Sequence, residues 1–221
     1  DPHFLPRDLV RIAGEWGLFT VWLPTLFGGT GWNFISLYAF LEEVASACAG
    51  ISAMIGVHYM GLGALTASWN LRLTARVADD VCAGERRGVP CMLSLALNEP
   101  AAGSDVTDTA LLQHAELVSH AVRQADGSYR LNGRKQYISN GHLAAWHMVV
   151  AYEDLGRGAD TMVLLAVRAD SPGVSNGALM DKLGQTACVA SELVFKNVHV
   201  PADNVAMDRH LLAQLKRPYR E

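Results

Sequence analysis

Two short segments carry residue types that could hold a flat, phosphorylated small molecule. The first is Ala96-Leu97-Asn98-Glu99-Pro100-Ala101-Ala102-Gly103-Ser104-Asp105-Val106. It follows an apolar run and closes in a Gly-Ser-Asp turn. A strand that enters a loop with a hydroxyl and free backbone N–H groups can grip a phosphate without any lysine. A capped turn leading into another strand explains the same residues, and composition alone favours that simpler reading. The second is Lys135-Gln136-Tyr137-Ile138-Ser139-Asn140-Gly141. Its aromatic and hydroxyl, two positions apart, share one face of a strand. The pair could pack on a planar ring and hydrogen-bond its edge, although taken alone it reads as a strand ending in a turn.

Two further segments are less chemical. Lys182-Leu183-Gly184-Gln185-Thr186-Ala187 reads as a loop, and Glu192 to Val200 alternates as a half-buried strand that Pro201 ends. Gly28-Gly29-Thr30-Gly31 is a turn-rich loop and not a dinucleotide fingerprint, because it lacks the last glycine and follows no strand of a βαβ unit. The sequence holds no phosphate-loop lysine motif, no serine-hydrolase elbow and no His-Glu-x-x-His. His58, His142 and His147 read as turn or core residues rather than metal ligands.

The elements that must position these segments divide the chain. Residues 1–88 read as helical: an apolar face through Leu9, Val10, Ile12, Ala13 and Trp16, helical spacing through Leu37, Phe40, Leu41 and Val44, and a helix from Leu71 to Ala83 stopped by Gly84. After Gly88, runs of Val, Leu and Tyr alternate with Asp126-Gly127, Asn132-Gly133, Asn140-Gly141 and Pro172-Gly173, the first two read as hairpin turns. Strands are expected at 91–97, 117–125, 128–132, 134–139, 147–153, 161–168 and 191–200. Helices first and strands second predict an α+β chain, an all-α domain followed by an antiparallel β domain.

Composition narrows the function classes. With 221 residues, 50% hydrophobic and 18% charged, the chain can bury a real core. A net charge of -4 and scattered basic residues give no footprint for nucleic acid. Cys48, Cys82, Cys91 and Cys188 form no Cys-x-x-Cys pair, which fits small core residues in a reducing, cytoplasmic compartment and no metal site. Val44 to Leu71 carries no charge and could span a bilayer, yet Gly50, Gly56, Gly61, Gly63, His58 and Asn70 within it point to helices buried in a soluble fold. The opening Asp1-Pro2-His3 is no secretory signal, and the missing Met suggests processing or an earlier segment.

Taken together and in order, the segments resemble the acyl-CoA dehydrogenase family. The similarity runs through Leu-Pro-x-x-x-Gly-Gly-x-Gly at 23–31, Glu-Pro-x-x-Gly-Ser-Asp at 99–105, Leu-Asn-Gly-x-Lys-x-Tyr-Ile-Ser-Asn-Gly at 131–141, Lys-Leu-Gly at 182–184 and Val-x-Val-Pro at 198–201. It implies an N-terminal helical domain (1–88), a barrel-like, flavin-binding middle β domain (89–201) and a tail (202–221), without the four-helix bundle that follows in complete members. It implies FAD as cofactor, with Leu97, Asn98, Gly103, Ser104, Tyr137 and Ser139 as binding residues. Asn98 and Ser139 would read the flavin edge, Tyr137 would pack on the ring, and Ser104 would meet the pyrophosphate. The loop at 97–104 and the helices at 44–68 would line the acyl chain.

This sequence departs from the family pattern at several positions. Asn98 stands where Ser or Thr is usual, Tyr137 and Ser139 replace Trp and Thr, and Thr186 stands where a basic residue is frequent. The family's base is a glutamate of the C-terminal domain that no residue here matches. Glu99 and Asp105 are expected to be structural, and Glu42 and Glu43 match no catalytic position. The expected function is therefore the FAD-binding part of an acyl thioester oxidoreductase of fatty-acid metabolism. Its substrate would be an acyl-CoA, and its base would come from a missing domain or a partner chain in a homo- or hetero-oligomer. Two alternatives are a truncated relative serving as a binding or assembly module, and a flavin monooxygenase or oxidase on the same fold.

Overall fold

A computed structural model describes residues 5–103, 117–153 and 161–209. The helical part consists of α1 (Arg7–Glu15), α2 (Phe34–Ala67) and α3 (Leu71–Arg86). Asn33 and Asn70 cap α2 and α3, their side chains accepting the backbone N–H of Ser36 at 2.9 Å and of Leu73 at 3.1 Å. Asn70 also donates to the Val205 carbonyl at 3.0 Å, which ties the start of α3 to the sheet. Gly84 was expected to stop α3 and does not. The helix runs on to Arg86 and closes with Val89 N–H on the Gly84 carbonyl and Gly88 N–H on the Glu85 carbonyl.

α2 is broken at Cys48, whose backbone is extended (φ -154°, ψ 103°). The Ser52 hydroxyl donates to the Leu41 carbonyl at 2.7 Å. Eleven residues of straight helix would separate such groups by about 16 Å, so the two limbs of α2 fold back on each other. By length and composition α2 could cross a membrane. Its second limb instead buries Met54, Ile55, His58, Leu62 and Leu65 in the core, where it packs on the first strand. Met60, on another face, is 56% exposed.

The strands are β1 (Met92–Ala96), β2 (His120–Arg123), β3 (Tyr129–Ser139), β4 (Ala144–Glu153), β5 (Met162–Arg168), β6 (Val174–Leu179), β7 (Ala190–Val200) and β8 (Val205–Met207). The sheet order is β6-β7-β3-β2-β4-β5-β8, and β1 joins β4 beside β2. Helices first and sheet second agree with the expected fold class. Two details are corrected. β1 and β2 both pair with β4 in parallel, so the sheet is mixed. It is also open rather than barrel-like, with β6 and β8 as separate edges. β4 is buried on both faces: Met148, Val150 and Tyr152 meet the helices, while Val149 and Ala151 join Tyr129, Leu131, Leu165 and Phe195 in a second cluster. This double burial explains its nearly unbroken apolar run.

Asn132-Gly133 is not a hairpin turn. β3 continues through it as a bulge, because Gly133 (φ +148°) lets the Ser119 backbone approach to within 2.4 Å of where a Cβ would sit. β6 and β8 were not legible in advance, being short edge strands, β6 of mixed composition and β8 only three residues long.

Candidate functional site

β1 and β3 end side by side, and their ends form a cleft of about 180 Å³. Leu95, Leu97 and Asn98 line it from β1 and its exit, Tyr137, Ile138 and Ser139 from β3, and Val57 and Met60 from α2. The shape of this corner depends on an irregularity in β3. Its register against β7 shifts between Lys135 and Ile138, and Tyr137 adopts a left-handed backbone (φ +59°) that is uncommon for a bulky residue. Ile138 turns into the core, while Tyr137 stays 58% exposed and shares the cleft side with Ser139.

Buried polar groups hold the irregularity in place. Lys135 and Glu99 form an ion pair at 2.7 Å, with side chains only 1% and 0% exposed. The Lys135 ammonium also donates to the Leu97 carbonyl at 2.9 Å, and Gln136 N–H donates to the Asn98 carbonyl at 3.0 Å. Consecutive residues of β3 thus grip consecutive residues of the β1 exit. The Glu99 carboxylate accepts from the backbone N–H groups of Val118 and Ser119, and backbone bonds between Glu99 and Ala102 close the turn that leads to Gly103. Burial pushes the Lys135 ammonium down from its usual pKa, and the Glu99 charge opposes that shift. The other end of the corner is fixed by Asn140. It is buried with φ +62°, and its amide donates to the Met54 carbonyl of α2 at 2.8 Å.

The cleft adjoins an apolar pocket of about 490 Å³ between the limbs of α2. Trp22, Phe34, Tyr38, Leu41 and Gly56 line the pocket, and Val57 and Met60 belong to both cavities. The limb between them is anchored by His58, which accepts Leu93 N–H at Nδ1 (3.1 Å) and so must donate from Nε2 to the Phe19 carbonyl (2.9 Å). Burial depresses its pKa to about 4, which keeps the ring neutral and this tautomer in place. His147, also buried with a pKa near 4, pairs Nδ1 with the Ser94 hydroxyl at 2.8 Å. Both are core histidines, and no cluster of potential metal ligands occurs among the described residues. On the far side, Lys182 donates to the carbonyls of Gln185 and Cys188 and curls the 182–188 loop against α2 at Gly50, where a Cβ would lie 3.1 Å from that of Ala187. Burial raises the pKa of the Cys188 thiol, and the Ser139 hydroxyl opposes that shift.

The structure therefore brings Leu97, Asn98, Tyr137 and Ser139 into one cleft. Gly103 lies at the end of the described turn, and Ser104 and Asp105 lie outside the described residues. Lys135 and Asn140 were not expected as site residues, and Val57 and Met60 were expected only as part of the 44–68 stretch lining the acyl chain. Lys135 had one available signal, a lysine on the inward-facing register of an otherwise apolar strand face.

Residues 1–85 match the acyl-CoA dehydrogenase N-terminal domain, and residues 94–198 match the acyl-CoA dehydrogenase middle domain. The chain belongs to the acyl-CoA dehydrogenase family. As a member of that family, it is 32% identical over 205 residues to cyclohex-1-ene-1-carbonyl-CoA dehydrogenase of Geobacter metallireducens, covering 93% of this chain and 50% of that one. It is 28% identical to mitochondrial isovaleryl-CoA dehydrogenase of Arabidopsis thaliana, covering 90% of this chain and 46% of the relative. Among solved structures, a probable acyl-CoA dehydrogenase from Mycobacterium abscessus superposes with a TM-score of 0.76 at 31% identity, covering 95% of this chain and 54% of that one. A glutaryl-CoA dehydrogenase from Mycobacterium smegmatis in complex with FADH2 superposes with a TM-score of 0.69 at 25% identity, covering 91% and 47%. This acyl-CoA dehydrogenase family chain spans about half the length of the curated relatives it matches.

Proposed function

We propose that this chain is the flavin-binding part of an acyl thioester dehydrogenase, with the FAD ring in the cleft at the ends of β1 and β3. One observation carries the reading: a flat exposed aromatic, an amide and a hydroxyl converge in a cleft that shares a wall with an apolar pocket. The residues fit the group. Tyr137 offers a ring face, Asn98 can donate and accept, Ser139 can do either, and none brings a charge that would fight a neutral ring. The cleft accommodates a ring system and not a whole dinucleotide, so the phosphates are assigned to the turn at Gly103 and to Ser104 beyond it.

Bound there, FAD would supply the hydride acceptor for oxidation of an acyl group at its α,β bond. The protein's own contribution is placement. The pocket between the α2 limbs takes the acyl group by apolar contact, and the shared wall of Val57 and Met60 sets the reacting carbons beside the ring cleft. The relatives named above act on a cyclohexenyl and an isovaleryl thioester, both apolar and compact, which supports an acyl-CoA as substrate class.

An α-proton acceptor is also needed. No carboxylate lines either cavity among the described residues, and Glu99 is committed to Lys135. The base is accordingly assigned to polypeptide outside the described residues, in this protein or in a partner of an oligomer. Four unpaired cysteines support a cytoplasmic setting. The test is to purify the complete native protein, record its flavin absorbance and add acyl-CoA thioesters without oxygen. Bleaching by a compact apolar acyl-CoA supports the reading; stoichiometric flavin that no thioester bleaches, or no flavin at all, contradicts it.

A further inference from the structure

Nothing about a flavin ring requires an ion pair sealed one residue behind the ring-facing positions. Taking two charges out of water is costly, and well-packed apolar residues usually serve stability as well or better. The geometry points to another role: we propose that Lys135 and Glu99 are positioning residues that hold the β1 exit at the height and angle the cofactor edge requires. This rests on the assignment of the cleft to FAD.

The Lys135 ammonium is shared between the Glu99 carboxylate at 2.7 Å and the Leu97 carbonyl at 2.9 Å. Leu97 and Asn98 line the cleft, and the next backbone carbonyl, that of Asn98, is held by Gln136 N–H. An apolar side chain at 135 could fill the same volume but could not orient a carbonyl. Glu99 is in turn fixed by the N–H groups of Val118 and Ser119, so the ammonium is aimed from a rigid carboxylate and not from a mobile one. The clamp occupies 135 and 136, and the left-handed step at Tyr137 follows directly. The bulge that presents the aromatic ring and the grip that orients the amide are therefore one device. The pair is neutral as a whole, so it positions without adding net charge beside the ring.

Two variants of the complete protein separate positioning from plain stability. In Lys135→Met the Leu97 carbonyl loses its donor and the Glu99 carboxylate loses its counter-charge. FAD should bind at least about 10-fold more weakly, the midpoint potential of the bound flavin should become more negative, and thermal stability should fall. Adding Glu99→Gln removes the orphaned charge and keeps the contacts to Val118 and Ser119. Stability and potential should then recover, while FAD affinity stays at least about 10-fold weak because no donor holds Leu97. Wild-type FAD affinity and an unchanged flavin spectrum in the double variant would overturn the proposal, showing the pair to be structural only. If the wild-type protein itself takes up no FAD, the cleft assignment fails before the variants are compared.

Discussion

The ring cleft and the apolar pocket share the wall of Val57 and Met60, yet they are built in opposite ways. The cleft is made from backbone exceptions: a bulge at Tyr137, a left-handed Asn140, and two carbonyls gripped by consecutive residues of β3. Each exception is held by a buried polar group with few alternatives. The pocket is made from the helix faces of Phe34, Leu41 and Val57 and from Trp22 in the loop before α2, positioned by one break in α2 and one buried imidazole. Directional bonds fix both position and orientation, whereas apolar contact is non-directional. A site that must present fixed hydrogen-bonding edges beside a variable chain has reason to use both.

His58 anchors the helix limb that stands between the two regions, and its loss should have the largest effect. His58→Leu leaves the Phe19 carbonyl and Leu93 N–H buried without partners, at a cost of roughly 3–5 kcal/mol. Denaturant titration measures it, and a loss under 1 kcal/mol would mean the α2 limb is held by packing alone. Asn140→Ala comes next. It removes the tether to the Met54 carbonyl and puts a Cβ-bearing residue without the Asn amide into the left-handed region, for about 2–3 kcal/mol. Because Asn140 borders Ser139, this variant should also loosen whatever the cleft binds, which a Leu41→Ala change of the pocket wall should do far less.

Acid separates the regions in another way. In the folded chain His58 and His147 are neutral with pKa values near 4, while in the unfolded chain they return to about 6.5. Between those values the unfolded chain binds protons that the folded chain refuses. The stabilisation is complete above pH 6.5, declines by up to about 1.4 kcal/mol per pH unit for each imidazole as pH falls, and levels off near pH 4. Chemical denaturation from pH 7.5 to 4.5 should show this slope, and His147→Gln should remove its share. A flat profile would contradict the buried, neutral state of both rings.

The smallest effect belongs to the pocket. Gly56 faces it with Leu41 at an ordinary 3.8 Å from an added Cβ. Gly56→Ala should stabilise the helix by about 0.5–1 kcal/mol and shorten the acyl space by a methyl. Turnover should shift toward smaller thioesters with FAD content unchanged. A loss of FAD would show that pocket and cleft are not separable.

How far the sequence was legible follows the same division. Local signals carried well: strand ends lie within a few residues of their expected positions in the apolar run of β5 and the alternating run of β7. Tyr137 and Ser139 do share a face, although the bulge lets them flank the inward-turned Ile138. What was missed depends on contacts between residues far apart in sequence. Lys135 and Glu99 are 36 residues apart, Asn140 and Met54 are 86 apart, and no periodicity connects them. Asn132-Gly133 misled because the residue pair that favours a hairpin turn also suits a bulge, and only the approach of Ser119 decides between them. The apolar run from Val44 to Leu71 hid a break at Cys48 that carries no Pro or Gly of its own.

The proposed seat of the flavin ring is the cleft between β1 and β3. A crystal structure of the complete protein grown with FAD tests it most directly. The ring is expected against Tyr137, with its edge within hydrogen-bond reach of Asn98 and Ser139 and its acyl side open toward Val57 and Met60. FAD bound elsewhere on the molecule, with Asn98, Tyr137 and Ser139 facing only solvent, would contradict it.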